Sequence, residues 1–194
     1  MSKIWKPEDE HHREPVPRPG PAAAGPRYGV VDTTFSTVDM GGIAVAALHS
    51  AGIPPSRIVR RTVPGFKDLA VAALNLLQRD GCAIAIACGM PGPEPIDKQC
   101  GHEASLAIGQ AQLMAGAHIL EVFVHMDEAR DDDELIALCR NRVGEHALNA
   151  IWLVEQPEEL VKRAGTGQRQ GFTDVGPADP NRSTTAHLRP GAAH

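Results

Sequence analysis

Aromatic side chains are scarce in this chain of 194 residues, where four Phe, one Tyr and two Trp make up 4% of the sequence. Basic residues are also in the minority, because 19 Lys and Arg face 24 Asp and Glu and the formal charge is -5. A nucleic-acid-binding protein usually carries a basic face, so this balance argues against that function, and it gives no reason to expect membrane binding. Since aromatic rings are few, each ring that falls in a loop is a candidate for a specific contact.

Long apolar runs are missing as well. No stretch approaches the roughly 18 apolar residues that a transmembrane helix needs, and the polar N-terminus lacks the apolar segment of a signal peptide. We therefore expect a cytoplasmic protein. The four cysteines, Cys82, Cys88, Cys100 and Cys139, match neither a zinc-binding spacing nor a CxxC motif. In a reducing cytosol they are expected to be small buried residues.

Composition divides the chain into three parts. Residues 1–26 mix charges with repeated prolines and cannot bury enough apolar surface to offset the entropy lost on ordering, so they are predicted to form a disordered Pro-rich arm. Residues 173–194 have the same character and are predicted to form a disordered tail. The folded domain is therefore expected to span residues 27–172.

Within this domain, short apolar runs alternate with helical patterns. The run Cys82–Cys88 has a glycine on each side and is typical of a strand buried on both faces, as in a parallel sheet. Residues 89–100 are expected to form a long loop with several prolines. Repeated strand–helix units with short connections indicate a doubly wound α/β fold. Strands are predicted at 28–32, 57–63, 82–88 and 118–125, and helices at 40–51, 66–80, 101–115, 131–153 and 157–165.

Ligands of such sheets bind beyond the carboxyl ends of the strands. In this chain the segments at those ends are residues 32–39, 64–68, 89–103 and 125–131. Most of the unusual residues of the chain fall in these four segments. This coincidence supports a binding site, although loops also collect polar residues for ordinary reasons.

The same segments contain blocks that resemble a known family. The blocks are VDTTFSTVDM (31–40), RRTVPGFKDLAVA (60–72), GMPGPEPIDKQCGHEAS (89–105), EVFVHMDEARDDDEL (121–135) and AGTGQRQGFTDVGPA (164–178). In this order and with this spacing they resemble archaeal-type riboflavin synthase. The chain departs from the family pattern by its N-terminal arm, by a Pro-rich insert at 91–95 beside a site loop, and by its C-terminal extension.

The resemblance implies a fold and a reaction. The fold would be a flavodoxin-like three-layer sandwich, in which helices flank a four-stranded parallel sheet as in lumazine synthase. The subunits would form a homo-oligomer, either a pentamer or a decamer. Two molecules of 6,7-dimethyl-8-ribityllumazine would exchange a four-carbon unit to give riboflavin and 5-amino-6-ribitylamino-pyrimidinedione. No organic cofactor is implied, whereas Mg²⁺ is associated with the family; the sequence shows no metal cage, and the metal ligands stay unassigned.

Substrate binding is assigned through the same resemblance. Phe35 would stack on a pteridine face, or it could simply fill the core. Gly65 would let the backbone approach the ligand, and Asp68 would accept hydrogen bonds from ribityl hydroxyls. Asp68 could instead interact with the dipole of its helix, and Lys67, also assigned to binding, could be merely solvated.

Proton transfer is assigned to the segment after the third strand. His102 and Glu103 are predicted to begin a helix, where His102 would shuttle protons and Glu103 would orient it or join the shuttle. A histidine at a helix start is equally compatible with a structural or exposed role. Asp97 and Lys98, expected in the preceding loop, are further substrate-binding candidates. A nucleophile pair of Cys100 and His102 is disfavoured, because such close neighbours rarely align.

The end of the fourth strand is expected to contact a second subunit. Phe123 and Val124 would contact the substrate there and His125 would serve catalysis, so that the site is completed across the subunit interface. Alternatively, Phe123 belongs to the core and His125 ends the strand. The acidic run 131–134 is interpreted as a solvated helix start rather than a metal site.

Other functions stay open at this point. A lumazine synthase would need a phosphate clamp, and Arg140, Arg142 and Lys162 are present but outside that enzyme's familiar block. A non-catalytic lumazine- or flavin-binding protein would keep the pocket without the chemistry. A dinucleotide-binding enzyme is disfavoured because no GxGxxG motif follows the first strand. The family blocks also argue against a flavodoxin-like signalling domain.

Overall fold

The computed structural model describes residues 25–179, which fold around a single parallel sheet. The strands are β1 (Arg27–Thr33), β2 (Ile58–Val63), β3 (Cys82–Gly89) and β4 (Ile119–Phe123). The helices are α1 (Met40–Ser50), α2 (Phe66–Gln78), α3 (Pro95–Ala115), α4 (Asp132–Glu155) and α5 (Pro157–Arg163). Short 3-10 turns at Pro55–Arg57 and Met126–Glu128 precede β2 and α4.

The sheet has the order β2-β1-β3-β4, with every neighbouring pair parallel. Side chains on one face pack against α1 and α4, and those on the other face pack against α2 and α3. Because helices cover both faces, the inner strand β3 is apolar along almost its whole length. The predicted three-layer α/β fold with four parallel strands is confirmed.

Local signals placed several helix ends correctly. Asp39 precedes α1, and its carboxylate accepts a hydrogen bond from the backbone N–H of Gly42 at 2.9 Å. Asp131 caps α4 in the same way through the N–H of Glu134 at 2.8 Å. Cys82, Cys88 and Cys139 are buried as predicted, whereas Cys100 is partly exposed.

The start of α3 was predicted wrongly. A loop was expected through Cys100, but the helix begins at Pro95. Proline suits the first helical position because its fixed φ is already helical and its missing N–H would have no partner there. Asp97 and Lys98 therefore lie in the first turn of a helix rather than in a loop. His102 and Glu103 lie inside α3 rather than at its start.

The predicted arm and tail fall largely outside the described residues, which omit residues 1–24 and 180–194. Residues 173–179, at the start of the predicted tail, are described, and the N–H of Val175 donates to the carbonyl of Gly167 at 3.0 Å. Just before this segment, the ring centroid of Phe172 lies 5.3 Å from Cζ of Arg142 and 4.7 Å from Cζ of Arg169. None of the helices within residues 25–179 has both the length and the apolar character needed to cross a bilayer.

Candidate active site

The four predicted loop segments meet at the carboxyl edge of the sheet. The N–H of Thr34, after β1, donates to the carbonyl of Val63 at the end of β2, at 2.9 Å. The N–H of Met126, after β4, donates to the carbonyl of Pro91 in the loop after β3, at 3.0 Å. These bonds link the loops pairwise, so the Pro-rich insert is tied to the connection that follows β4.

Three of the four phenylalanines gather at this edge, and we call Phe35, Phe66 and Phe123 the aromatic cluster. The ring centroids of Phe35 and Phe66 are 5.7 Å apart, and those of Phe66 and Phe123 are 5.9 Å apart. Such separations are favourable for edge and tilted aromatic pairs. Phe66 is buried, but Phe35 is 50% exposed. Phe35 therefore does not fill the core, and its ring is available to a ligand.

Gly89 makes room for the aromatic cluster at the end of β3. A Cβ added to Gly89 would lie 2.7 Å from Cε1 of Phe123 and 3.2 Å from Cδ1 of Phe66. Both rings thus pack directly over the backbone of this residue. Sequence reasoning assigned no role to Gly89 or Phe66, although both belong to the blocks that carry the resemblance.

The loop that carries Phe35 is anchored by a buried acid. Asp32, at the end of β1, is only 4% exposed. Its carboxylate accepts hydrogen bonds from Nη2 of Arg60 at 2.5 Å and from the hydroxyl of Thr62 at 2.7 Å. Arg60 also pairs with Asp39, and the N–H of Gly42 together with Arg60 lowers the pKa of the Asp39 carboxyl. One guanidinium therefore joins both ends of the first loop.

The second loop offers an open backbone and an ion pair. Gly65 precedes α2 in an extended conformation, and an added Cβ would meet no protein atom within 4 Å. Asp68 is exposed in the first turn of α2. Nζ of Lys67 lies 2.5 Å from Oε2 of Glu103, and this pairing raises the pKa of Lys67 and lowers that of Glu103. Lys67 is thus engaged with another predicted site residue rather than merely solvated.

The predicted partnership of Glu103 and His102 is not observed. The carboxylate of Glu103 accepts hydrogen bonds from Lys67 and from Nε2 of Gln99, the latter at 3.0 Å. His102 is exposed on the outer face of α3. In the first turn of the same helix, Lys98 forms an ion pair with Asp127 in the connection after β4. Asp97, also in that turn, is partly buried.

Residues at the end of β4 divide between the two faces of the sheet. Phe123 joins the aromatic cluster, whereas the side chain of Val124 is fully buried against α1 and α4. The predicted contact of the Val124 side chain with substrate is therefore not supported. His125 donates its backbone N–H to Glu128 at 2.8 Å, and its Nδ1 is buried with no hydrogen-bond partner among residues 25–179.

Arg142 of α4 fixes the end of β4 in place. It donates to both carboxylate oxygens of Glu128, at 2.8 and 2.6 Å, and to the carbonyl of Phe123 at 2.8 Å. Lys162, another cation considered for a phosphate clamp, lies 2.6 Å from Glu159. Both cations are therefore engaged within the chain.

Comparisons with known proteins agree with this fold. The model of the 6,7-dimethyl-8-ribityllumazine synthase family matches residues 25–158. The riboflavin synthase of Methanothermobacter thermautotrophicus is 52% identical over 153 residues, which cover 78% of this chain and 98% of the relative. The riboflavin synthase of Archaeoglobus fulgidus is 44% identical over 151 residues, covering 78% and 97%. That of Aeropyrum pernix is 44% identical over 154 residues, covering 79% and 98%.

The chain belongs to the archaeal-type riboflavin synthase family. The curated relatives are matched over nearly their whole lengths, so the residues that this chain has in excess are additions to a complete family domain. The family model is described as lumazine synthase, whereas the curated relatives are named riboflavin synthase.

Residues 25–179 contain no group of three or more His, Cys, Asp or Glu that could hold the divalent metal associated with this family. Within the acidic run at the start of α4, Asp131 caps the helix and Glu134 binds Arg130 at 3.0 Å. These residues do not fit a metal.

A cavity lies beside the first loop of this riboflavin synthase family member. The cavity of about 430 Å³ beside the first loop includes none of the predicted site residues. Its lining consists of Thr37, Val38, Met126, Ala129, Arg130, Asp131, Asp132, Leu135 and Ile136. The aromatic cluster does not line this cavity.

Proposed function

We propose that this enzyme is a riboflavin synthase that converts two molecules of 6,7-dimethyl-8-ribityllumazine into riboflavin and 5-amino-6-ribitylamino-pyrimidinedione. The observation that carries this proposal is the 52% identity to a riboflavin synthase along almost the whole of that relative. The aromatic cluster supports it, because the half-exposed ring of Phe35 offers a stacking platform for a flat heterocycle.

The residues present suit the separate tasks of this reaction. One lumazine would stack on Phe35 over the open backbone of Gly65, with its ribityl hydroxyls within reach of the exposed Asp68. Holding two reactants in register can supply effective molarities of roughly 10⁵ M or more. His102, exposed on the outer face of α3, and His125, after β4, would move protons from the acidic methyl group and to the opening ring.

We further propose that the active form is a pentamer or decamer, in which the end of β4 completes the site of a neighbouring subunit. Support comes from α3, whose outer face exposes Leu106 (57%) and Leu113 (86%). Exposed side chains of this size are usual at protein interfaces. Replacing Leu113 by Glu is expected to lower the mass measured by light scattering and the activity together. An unchanged mass would contradict an interface through this helix.

The remaining expectations complete the proposal. The enzyme works in the cytoplasm on a small-molecule substrate, without an organic cofactor and without a nucleic-acid or membrane partner. Mg²⁺ stimulation is tested by assaying the purified enzyme with added Mg²⁺ and with a chelator. An equal rate in both conditions would remove the metal from the proposal.

The decisive experiment incubates the purified protein with dimethyl-ribityllumazine and follows riboflavin by its visible absorbance. We expect steady formation above the uncatalysed rate, and heat-denatured protein is the control. Consumption of the pyrimidinedione together with a four-carbon phosphate would establish the lumazine synthase alternative, which the description of the family model favours. Tight lumazine binding without turnover would identify a binding protein instead.

A further inference from the structure

The last part of the described chain, residues 165–176, forms a loop that closes on itself after α5, and we call it the C-terminal loop. The N–H of Val175 donates to the carbonyl of Gly167 at 3.0 Å, and the N–H of Arg169 donates to Oδ1 of Asp174 at 2.8 Å. A Cβ added to Gly167 would clash with the backbone of Gly176. These contacts bring the two ends of the loop together, so it has a defined shape without a helix or a strand.

The C-terminal loop packs on Arg142 of α4 through two adjacent residues. A Cβ added to Gly171 would clash with Nε of Arg142 and lie 3.0 Å from its Nη2, so the backbone of Gly171 lies directly against the guanidinium. The ring centroid of Phe172 lies 5.3 Å from Cζ of the same arginine, within the range of a cation–π contact. Gly171 also has a φ of 76°, a left-handed conformation that residues with a Cβ rarely adopt. Glycine therefore suits this position in both backbone conformation and space.

Arg142 links this loop to the candidate site. Its guanidinium donates to the two carboxylate oxygens of Glu128, at 2.8 and 2.6 Å, and to the carbonyl of Phe123 at 2.8 Å. Glu128 in turn accepts the backbone N–H of His125 at 2.8 Å. A continuous set of contacts thus runs from the C-terminal loop through one arginine to the end of β4. A side chain at Gly171 could be accommodated only if Arg142 moved on these partners.

The ion pair of Arg142 and Glu128 is shielded from water. The exposed fractions of its two side chains are 10% and 26%, compared with 47% and 41% for the pair of Lys98 and Asp127 at the same edge. A shielded ion pair is stronger than an exposed one and responds less to salt. Because the C-terminal loop lies directly against the guanidinium, it contributes to this shielding.

We propose that Gly171 and Phe172 are positioning residues for the reaction, because they hold the Arg142 guanidinium in the orientation that fixes the end of β4. The inference rests on the proposed riboflavin synthase function. Neither residue is assigned a contact with substrate, and their effect reaches the reacting atoms through Arg142 and the strand end that it binds. Such an effect can be large, because a misplacement of about 1 Å can lower a rate roughly 100-fold.

Gly171→Ala and Gly176→Ala form a matched pair of variants. Gly176 has a φ of 75°, so alanine there meets the same backbone strain, but its Cβ would meet no protein atom within 4 Å. We expect kcat/KM to fall about 10- to 100-fold in G171A, which displaces Arg142, and less than about threefold in G176A. Equal kinetics in the two variants would overturn the inference. If G171A does not fold, the substitutions of Phe172 decide.

Three substitutions of Phe172 separate the cation–π contact from general packing. Phe172→Tyr keeps the aromatic face, Phe172→Leu keeps only apolar volume, and Phe172→Ala removes both. We expect kcat/KM near the wild-type value in F172Y and about 3- to 30-fold lower in F172L and F172A. Val175→Ala, which changes an exposed residue of the same loop, is the control.

Salt distinguishes this role from a purely structural one. Raising NaCl from about 0.05 to 0.5 M should lower the activity of F172A several-fold more than that of wild type or F172Y, because the uncovered ion pair is then screened. Equal activity and equal salt dependence in F172A and V175A would overturn the inference, as would a change in melting temperature alone.

Hydrogen exchange followed by mass spectrometry tests the positioning without an assay of activity. Peptides that cover residues 123–128 should exchange faster in G171A and F172A than in G176A and V175A, whereas peptides of β1 should not change. Unchanged exchange at 123–128 in both G171A and F172A would overturn the inference even if the wild-type enzyme makes riboflavin. A wild-type enzyme that makes no riboflavin would overturn the proposed function, while faster exchange would still support the hold of the loop on the strand end.

Discussion

Replacing Gly89 by Ala tests whether the aromatic cluster depends on close approach to the backbone of β3. The new Cβ would lie 2.7 Å from Cε1 of Phe123 and 3.2 Å from Cδ1 of Phe66, so at least the first ring must move. Overpacking of this kind costs about 1–3 kcal/mol. For a chain of this size, each kcal/mol lowers the melting temperature by roughly 2–4 °C. We therefore expect a fall of roughly 2–12 °C by calorimetry.

The same substitution should raise KM for the lumazine, because displacement of Phe66 moves its partner Phe35 as well. Gly144→Ala in α4 is the matched control. An added Cβ there meets no protein atom within 4 Å, and alanine at a helix interior should stabilise by up to about 1 kcal/mol. If G89A matched G144A in melting temperature and KM, the packing of the rings over Gly89 would have no part in the site.

Three further predictions concern the same edge of the sheet. Phe35→Ala should raise KM roughly 5- to 150-fold through the loss of about 1–3 kcal/mol of stacking. The free energy of urea unfolding should fall by less than about 1.5 kcal/mol, because the ring is half exposed. Collapse of the oligomer would contradict this prediction. Arg60→Gln should lower the free energy of unfolding by about 2–4 kcal/mol, because it leaves the buried carboxylate of Asp32 with one hydrogen-bond donor. An unaltered urea midpoint would show that Arg60 does not anchor the first loop. Burial raises the pKa of Glu121, so its contribution to stability is complete below its unfolded pKa and is lost as the pH rises through its folded pKa. The free energy of urea unfolding of E121Q should therefore depend less on pH in that window than that of the wild type. Equal pH dependence in the two proteins would exclude the effect.

The layout of the fold followed from local patterns. The apolar run of β3 indicated a strand covered on both faces, and Asp39 and Asp131 correctly predicted the starts of two helices. The failure at α3 has a specific cause, because Pro91 and Pro95 look alike in the sequence. Pro91 lies in the loop, whereas Pro95 occupies the first position of the helix, and only the surrounding packing distinguishes them.

The site was less accessible to sequence reasoning, because it depends on which side of the sheet a residue faces. Phe123, Val124 and His125 were taken as one block, yet successive strand residues point in opposite directions, and Val124 is buried in the other core. The bond from Arg60 to Asp32 joins residues 28 positions apart, and no local pattern predicts it.

Two of the three cations considered for a phosphate clamp already form ion pairs, and this bears on the choice between lumazine synthase and riboflavin synthase. The third, Arg140, is exposed on α4. Lumazine synthase consumes a four-carbon phosphate and needs a free basic group for it, whereas riboflavin synthase handles two uncharged ring systems. Arg142 is only 8% exposed and is already bound by Glu128 and the Phe123 carbonyl, and Lys162 is bound by Glu159. Releasing Arg142 to a phosphate would leave Glu128 without its cation and remove the donor to the carbonyl of Phe123 at the end of β4. A phosphate would therefore have to compete for a cation that holds the strand end, where we propose that Phe123 and His125 serve the dismutation.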